Sequence, residues 1–192
     1  MIYDPLGGGV AGEWIELYNP SSAPIGLSGY KIGDSEMPHD GEGVYQFPSD
    51  AVLGPGNVLV VANSAADFIS RFGFEPNFEW TESNPHVPNL EKYTSWSDQP
   101  ISLGINDEVL LLDSGDQVVE ALSWGTSTWA FDPPCSGVLE QGHSLERLPA
   151  DLDTITASDW VDQSQPAPGQ VTRSSAWRML EGWLKQLSLG FK

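Results

Sequence analysis

Apolar and polar residues alternate strictly near the start of the chain, in the segment WIELY at residues 14–18. This period of two predicts a half-buried β-strand, because successive side chains of a strand point to opposite faces of a sheet. We expect Ile15 and Leu17 to enter the core. Trp14 and Glu16 fall on the opposite face, where we expect Glu16 to be exposed or paired across the sheet.

Similar runs recur along the chain and predict an all-β fold with short strands. Alternating or β-branched segments lie at residues 30–32, 44–47, 58–62, 108–113 and 117–124. The last two flank the turn sequence SGD, whose glycine suits a positive φ. Residues 108–124 are therefore expected to form a β-hairpin.

One short helix and one long irregular segment interrupt the strand pattern. In SAADFISRF, Ser64 is placed to accept a hydrogen bond from a free amide of the first turn, and Asp67 supplies the acidic third position of a capping box. Residues 73–98 contain three prolines and no clear period. Loops of this length without regular structure are uncommon and tend to be binding loops or insertions.

After the proline-containing spacer QPAPGQ, the chain ends in an amphipathic pattern. Apolar side chains recur at helical spacing and predict a cationic helix, appended to the domain as a linker and tail over residues 171–192. The side chains predicted to make contacts are Trp177, Leu180, Trp183, Leu184, Leu187 and Phe191. Such a helix can dock on its own acidic domain, lie on an anionic membrane surface, or fold on meeting a partner.

Composition supports a globular domain and limits its chemistry. The 192 residues include 20 Gly, 15 Pro and a single cysteine, which excludes an intrachain disulfide and a cysteine-based zinc site. The chain carries 27 acidic and 8 basic residues. An acidic surface repels phosphate, so nucleic acid is disfavoured as a partner, whereas cations and basic partners are favoured. The same excess of charge also serves solubility.

Six segments, taken in order, resemble the lamin tail domain family. They are GEWIELYNPS, LSGYKI, YQFP, LGPGNVLVVAN, NDEVLLLDSGDQVVEALSWG and GHSLERLP. The later TASDW and QPAPG are similar to the closing signature of bacterial members. The resemblance implies an immunoglobulin-like β-sandwich without a disulfide over residues 1–170. This chain departs from the family pattern in two places, a first strand that is truncated and a segment at residues 73–98 that is longer than the usual connection and is interpreted as an irregular insertion.

The resemblance further implies a non-catalytic interaction or tethering module, which in bacterial relatives often belongs to exported or surface-linked proteins. We therefore expect an extracellular or cell-surface location, a protein or cell-surface partner of unknown identity, and no enzymatic activity. An accessory domain of a surface hydrolase is an alternative. By the same resemblance, Arg147 in GHSLERLP pairs with an acidic group and maintains the fold.

Residue spacing predicts no catalytic set. Glu13 and Glu16 lie three positions apart on a strand and face opposite sides, so they cannot flank one glycosidic bond. The three histidines lack metal-binding spacing, and no serine or cysteine stands beside a base in a nucleophile motif. We predict no catalytic residue and no cofactor. Calcium is the one candidate metal, through Asp151, Asp153 and Asp159, which would serve equally well in a solvated turn.

Loop tryptophans indicate a different class of binding. Trp80, Trp96 and Trp129 fall outside the predicted strands, where aromatic rings stack on sugars or anchor partner proteins. A carbohydrate-binding module is therefore an alternative to a tethering module. The same rings serve equally to cover the core beneath long loops. Coplanar exposed rings would favour sugar binding, and buried rings would remove that option.

Overall fold

A computed structural model describes residues 1–174 of the chain, which form twelve strands and one α-helix. The strands are β1 (Trp14–Tyr18), β2 (Ile25–Gly26), β3 (Lys31–Gly33), β4 (Val44–Gln46), β5 (Val52–Leu53), β6 (Val58–Ala62), β7 (Phe78–Glu79), β8 (Glu91–Lys92), β9 (Asp107–Leu112), β10 (Val118–Trp124), β11 (Ser144–Arg147) and β12 (Trp160–Gln163). The helix α1 spans Ala65–Phe72. The predicted amphipathic helix, with all six of its contact residues, lies outside the described residues.

Two main sheets share one hydrophobic core. The larger sheet has the strand order β10-β9-β3-β4-β8 and the smaller has the order β1-β6-β7, while β2 pairs with β5 and β11 pairs with β12. The core cluster contains Ile15 and Val61 from the smaller sheet together with Ile32 and Leu122 from the larger one. Side chains from both sheets therefore meet in one layer, as the sandwich prediction requires.

The predicted strand at residues 14–18 is confirmed as β1, but its outer face is not exposed. Ile15 is buried in the core, and Leu17 is half-buried and packs against the same cluster. Trp14 is only 2% exposed, because Phe68 and Phe72 of α1 meet its ring edge-on at centroid distances of 6.3 and 6.1 Å. The helix thus covers one end of the face that the alternation alone assigns to solvent.

The helix itself is confirmed with its predicted cap. The Ser64 side chain accepts a hydrogen bond from the Asp67 amide at 3.2 Å. The helix ends at Gly73, whose φ of 78° is the left-handed conformation that glycine adopts without steric cost. Its eight residues are far fewer than a bilayer requires, and no helix within residues 1–174 is long and apolar enough to cross a membrane.

The hairpin formed by β9 and β10 is confirmed, although a different residue takes the positive φ. Asp116 has a φ of 63°, whereas Gly115 does not adopt a left-handed conformation. Aspartate tolerates this region because its side chain finds local partners. Here the Asp116 carboxylate accepts a hydrogen bond from Lys31 Nζ at 2.5 Å, which ties the turn to β3.

The predicted insertion at residues 73–98 contains two short strands that join the sheets. Strand β7 runs parallel to β6, and β8 runs antiparallel to β4. Glu79 at the end of β7 is fully buried and accepts hydrogen bonds from the amides of Ala65, Ser83 and Asn84 at 2.8–3.0 Å. Strands of two residues carry no periodicity, so the sequence pattern cannot reveal them.

The described part of the predicted linker lies against the sandwich. The Gly169 amide donates to Glu16 at 2.6 Å, and the Ala150 amide donates to the carbonyl of Thr172 at 2.8 Å. Arg173 donates to the carbonyl of Gly56 at 2.8 Å. Residues 169–174 are therefore hydrogen-bonded to the domain, and they include the start of the segment that the sequence predicts as a linker.

Candidate functional site

Six acidic residues from separate parts of the chain gather at one end of the sandwich, and we call them the carboxylate cluster. The members are Glu13, Asp34, Glu36, Glu42, Asp107 and Glu108. They lie close to strand ends, just before β1, just after β3, just before β4 and at the start of β9. The pairing of β3 with both β4 and β9 brings three of these strand ends side by side.

Backbone amides hold the buried members of the carboxylate cluster. The Asp34 carboxylate accepts from the amides of Gly43 and Ser102 at 2.7 and 2.8 Å. The Glu13 carboxylate accepts from the Leu103 amide at 3.3 Å. Ser127 donates its hydroxyl to Glu108 at 2.5 Å. These hydrogen bonds hold the carboxylates of Glu13, Asp34 and Glu108 in place.

Three carboxylates of the cluster converge closely. One oxygen each of Glu36, Glu42 and Glu108 lies within 4.8 Å of the others. The Oε2 atom of Glu42 is buried without a hydrogen-bond partner. Among residues 1–174, none of the ion pairs involves a member of the cluster.

Burial and mutual repulsion raise the pKa values of these groups. Burial is the larger cause and raises the pKa of Glu13 to about 8, that of Glu42 to about 8 and that of Glu108 to about 7. The pKa of Asp34 rises to about 6 for the same reason. Neighbouring carboxylates add to the shift at each of these positions. Near neutral pH the cluster therefore retains protons that isolated carboxylates would release.

Sequence patterns did not single out this cluster, although they contain a signal for part of it. Glu13, Asp34 and Glu42 each follow a glycine directly. Acidic residues beside glycine at strand ends are also common in solvated turns, so the pattern favours no site by itself. Only the sheet topology shows that these turns meet.

Glu13 and Glu16 do not act together. The Glu13 carboxylate lies at the Leu103 amide, whereas the Glu16 carboxylate accepts from Gly169. The two groups thus occupy different regions of the domain, in line with the prediction that they form no glycosidase pair. Arg147 lies beside two acidic side chains, and its predicted partner is an acidic group. One guanidinium nitrogen is 3.0 Å from Glu120 and another is 3.5 Å from Asp153.

The three loop tryptophans occupy different environments and form no platform. Trp80 is 4% exposed and belongs to the core, so the expectation that it lies on a ligand surface is not met. Trp96 is half-buried, and its indole N–H donates to Ser35 at 2.9 Å. Trp129 is 43% exposed. No ring contact within residues 1–174 joins any two of them.

The three aspartates proposed for calcium are each bound to protein groups. Asp151 accepts from both the amide and the hydroxyl of Ser174, and Asp159 accepts from the amide and hydroxyl of Thr154 at 2.7 Å. Asp153 accepts from the Ile155 amide at 2.9 Å and faces Arg147. A calcium ion would have to displace these partners before it could collect its six to eight oxygen ligands.

We therefore expect millimolar Ca²⁺ at pH 7 to raise the melting temperature by less than about 1 °C. A site whose dissociation constant exceeds the ion concentration adds little to the free energy of unfolding. Differential scanning calorimetry with and without the ion provides the test. A rise of several degrees would contradict this expectation. The variants Asp153→Asn and Glu42→Gln would then show whether the ion binds at the aspartates or at the carboxylate cluster.

A second feature is an apolar groove of about 410 Å³ between β1, the β9–β10 hairpin and β11. We call it the β1–β11 groove. Its apolar lining includes Leu17, Ile25, Leu27, Leu53, Leu111, Val119, Leu145, Leu148 and Trp160. Its carboxylates are Glu16, Glu120, Glu146, Asp151 and Asp153, and its one guanidinium is that of Arg147. Residues 170–172 form part of its wall.

Comparison with known proteins gives one family. The model of the Lamin Tail Domain matches residues 1–126, which cover β1 to β10 and both main sheets. The curated proteins contain no significant match. Domains of this family are immunoglobulin-like and generally non-catalytic, which agrees with the strand-rich sandwich and its shared core. The chain belongs to the lamin tail domain family.

Proposed function

We propose that this protein is a non-catalytic tethering module at a cell surface or in the extracellular space, and that residues 175–192 contact an anionic membrane surface. The sandwich is the folded body of the module. The observation that carries the proposal is the placement of positive charge. Arg178, Lys185 and Lys192 are three of the eight basic residues of the chain, and only Glu181 opposes them in residues 175–192.

The basic side chains of the body are engaged with the body itself. Lys31 pairs with Asp116, and Arg71 pairs with Asp67, both at 2.5 Å. Arg147 pairs with Glu120 at 3.0 Å. Lys92 donates to the carbonyl of Asp98 at 3.0 Å. The acidic body therefore offers little attraction to anions, and contact with an anionic surface falls to the C-terminal segment.

The tail sequence suits contact with a membrane surface. Its tryptophans, leucines and phenylalanine supply an apolar face, and its lysines and arginines supply attraction to anionic lipids of about 1 kcal/mol each near the surface. The hydrogen bonds at residues 169–174 fix the point from which this segment departs. At physiological ionic strength the Debye length is about 8 Å, so dissolved salt screens most of the repulsion between the acidic body and the anionic lipid.

The test is sedimentation with vesicles that contain about 30% phosphatidylserine in phosphatidylcholine, at about 0.15 M salt. Replacing Lys185 and Lys192 with Gln should weaken binding about 30-fold, because two contacts of about 1 kcal/mol each are lost. The matched control is Lys92→Gln, an exposed lysine on β8, which should leave binding unchanged. Equal binding to vesicles of phosphatidylcholine alone, or equal loss in the control, would contradict membrane contact through the tail.

A carbohydrate-binding function receives no support from the loop tryptophans, since Trp80 lies in the core and Trp96 is held by Ser35. An accessory role beside a surface hydrolase stays a prediction. It is compatible with a tethering module, because a tether acts on whatever domain it is joined to.

A further inference from the structure

The described chain arrives at the wall of the β1–β11 groove. Gln170, Val171 and Thr172 line the groove, and Ser174 is bound through its amide and hydroxyl to Asp151, which lines the same groove. The guanidinium of Arg173 lies 5.6 Å from the centre of the Tyr18 ring, another lining residue. The eighteen residues 175–192 therefore depart directly from this wall.

The groove presents a deep apolar surface with an exposed apolar mouth. Leu27, Leu53 and Leu145 are at most 4% exposed and form its base. Val119 and Leu148, at 54% and 38% exposed, lie at its opening. Exposed apolar side chains around a concave apolar surface mark a place where another apolar surface binds.

The charge of the groove is also selective. Five of its lining residues carry carboxylates and one, Arg147, carries a guanidinium. Burial raises the pKa of Glu16, whose carboxylate accepts a hydrogen bond from the Gly169 amide. An occupant that combines apolar and basic side chains would satisfy both the apolar surface and the excess of carboxylates.

We propose that residues 175–192 dock in the β1–β11 groove of their own domain. Their apolar side chains cover the leucine-lined surface, and Arg178, Lys185 and Lys192 lie toward the carboxylates. The attachment of Ser174 to Asp151 leaves almost no free linker, so the effective concentration of the tail at the groove is in the millimolar range or above. This favours the tail of the same chain over that of a second copy at micromolar protein concentration.

Docking has a consequence that rests on the proposed function. The apolar side chains that would enter a membrane surface are the same ones that would enter the groove. The tail therefore alternates between its own domain and the membrane, and membrane contact requires its release. A groove that binds the tail less well makes a protein that binds vesicles better.

The direct test uses nuclear magnetic resonance on the full chain with labelled methyl groups. We expect nuclear Overhauser contacts between the indole protons of Trp177 or Trp183 and methyl groups of Leu17, Leu111 or Leu145. Val119→Asp places a charge at the mouth of the groove and should remove these contacts. Val118→Asp is the matched control, because Val118 is 49% exposed on the same strand but does not line the groove. The control should retain them.

A mixture of differently labelled chains separates the two kinds of occupant. Contacts within one chain support docking in cis, whereas contacts between chains overturn it in favour of a second copy. Absence of any tail contact in the unmodified chain also overturns the proposal, as does equal loss in both valine variants.

Vesicle binding measured on the same variants separates this proposal from the proposed function. Val119→Asp should bind anionic vesicles at least about tenfold more tightly than the unmodified chain, a change of about 1.4 kcal/mol. If tail contacts are present but neither protein binds vesicles, docking stands and the membrane function fails. If both bind vesicles equally and no tail contacts are found, the membrane function stands and docking fails.

Discussion

Replacing Trp124 with Ala should lower the free energy of unfolding by about 3–5 kcal/mol, the usual cost of removing a large aromatic side chain from a core. Trp124 is fully buried at the end of β10. Its ring stacks on Tyr3 at a centroid distance of 4.7 Å, and its indole N–H donates to the carbonyl of Gly104 at 2.9 Å. The substitution removes the stacking partner and leaves both a cavity and an unpaired carbonyl.

The control for this prediction is the same substitution at a neighbouring tryptophan. Trp129 is 43% exposed, so Trp129→Ala should change the free energy of unfolding by no more than about 0.5 kcal/mol. Urea unfolding followed by far-ultraviolet circular dichroism gives both values. A decrease in the free energy of unfolding below about 1 kcal/mol for Trp124→Ala, or similar decreases for the two variants, would contradict a core position for Trp124.

Glu13→Gln should raise stability at pH 8 by an amount on the order of 4 kcal/mol and change it little at pH 4.5. The folded domain raises the pKa of Glu13 to about 8, so it favours the neutral carboxyl. The stability that this group contributes is complete below the ordinary pKa near 4.5 and is lost as the pH rises toward 8. Glutamine remains neutral throughout and removes this loss.

The unmodified domain should therefore melt at a lower temperature at pH 8 than at pH 5. Asp34, Glu42 and Glu108 act in the same direction, so the variant keeps part of the dependence. Glu82→Gln is the control, because Glu82 is exposed and lies outside the carboxylate cluster. Thermal melts across this pH range provide the measurement. A stability that rises from pH 5 to pH 8 would contradict the raised pKa values.

The elements that the sequence pattern predicted are those whose signal is local. Alternation around Ile15 predicts β1, the flanking runs predict the β9–β10 hairpin, and Ser64 with Asp67 predicts the start of α1. Each prediction depends on residues that are close together in the sequence. At that distance the alternation of side chains and the capping of a helix determine the local structure.

The features that escaped prediction depend on distant contacts. Trp14 is buried only because α1 folds back over β1, and alternation within β1 contains no information about that helix. The carboxylate cluster is assembled from the ends of strands up to 95 residues apart, Glu13 and Glu108 being the outermost. A sheet register defines such a site, and single-residue patterns do not determine register.

The fastening of residues 169–174 also determines how the module would respond to a pulling force applied at its C-terminal end. The bonds of Gly169, Thr172, Arg173 and Ser174 attach to three separate parts of the sandwich, because Ala150 and Asp151 are adjacent, and they would be met one after another, beginning with Ser174. Their successive rupture would release about 20 Å of extended chain while both sheets stay intact. Under such a force residues 169–174 would therefore come free in small steps before the strands of either sheet separate.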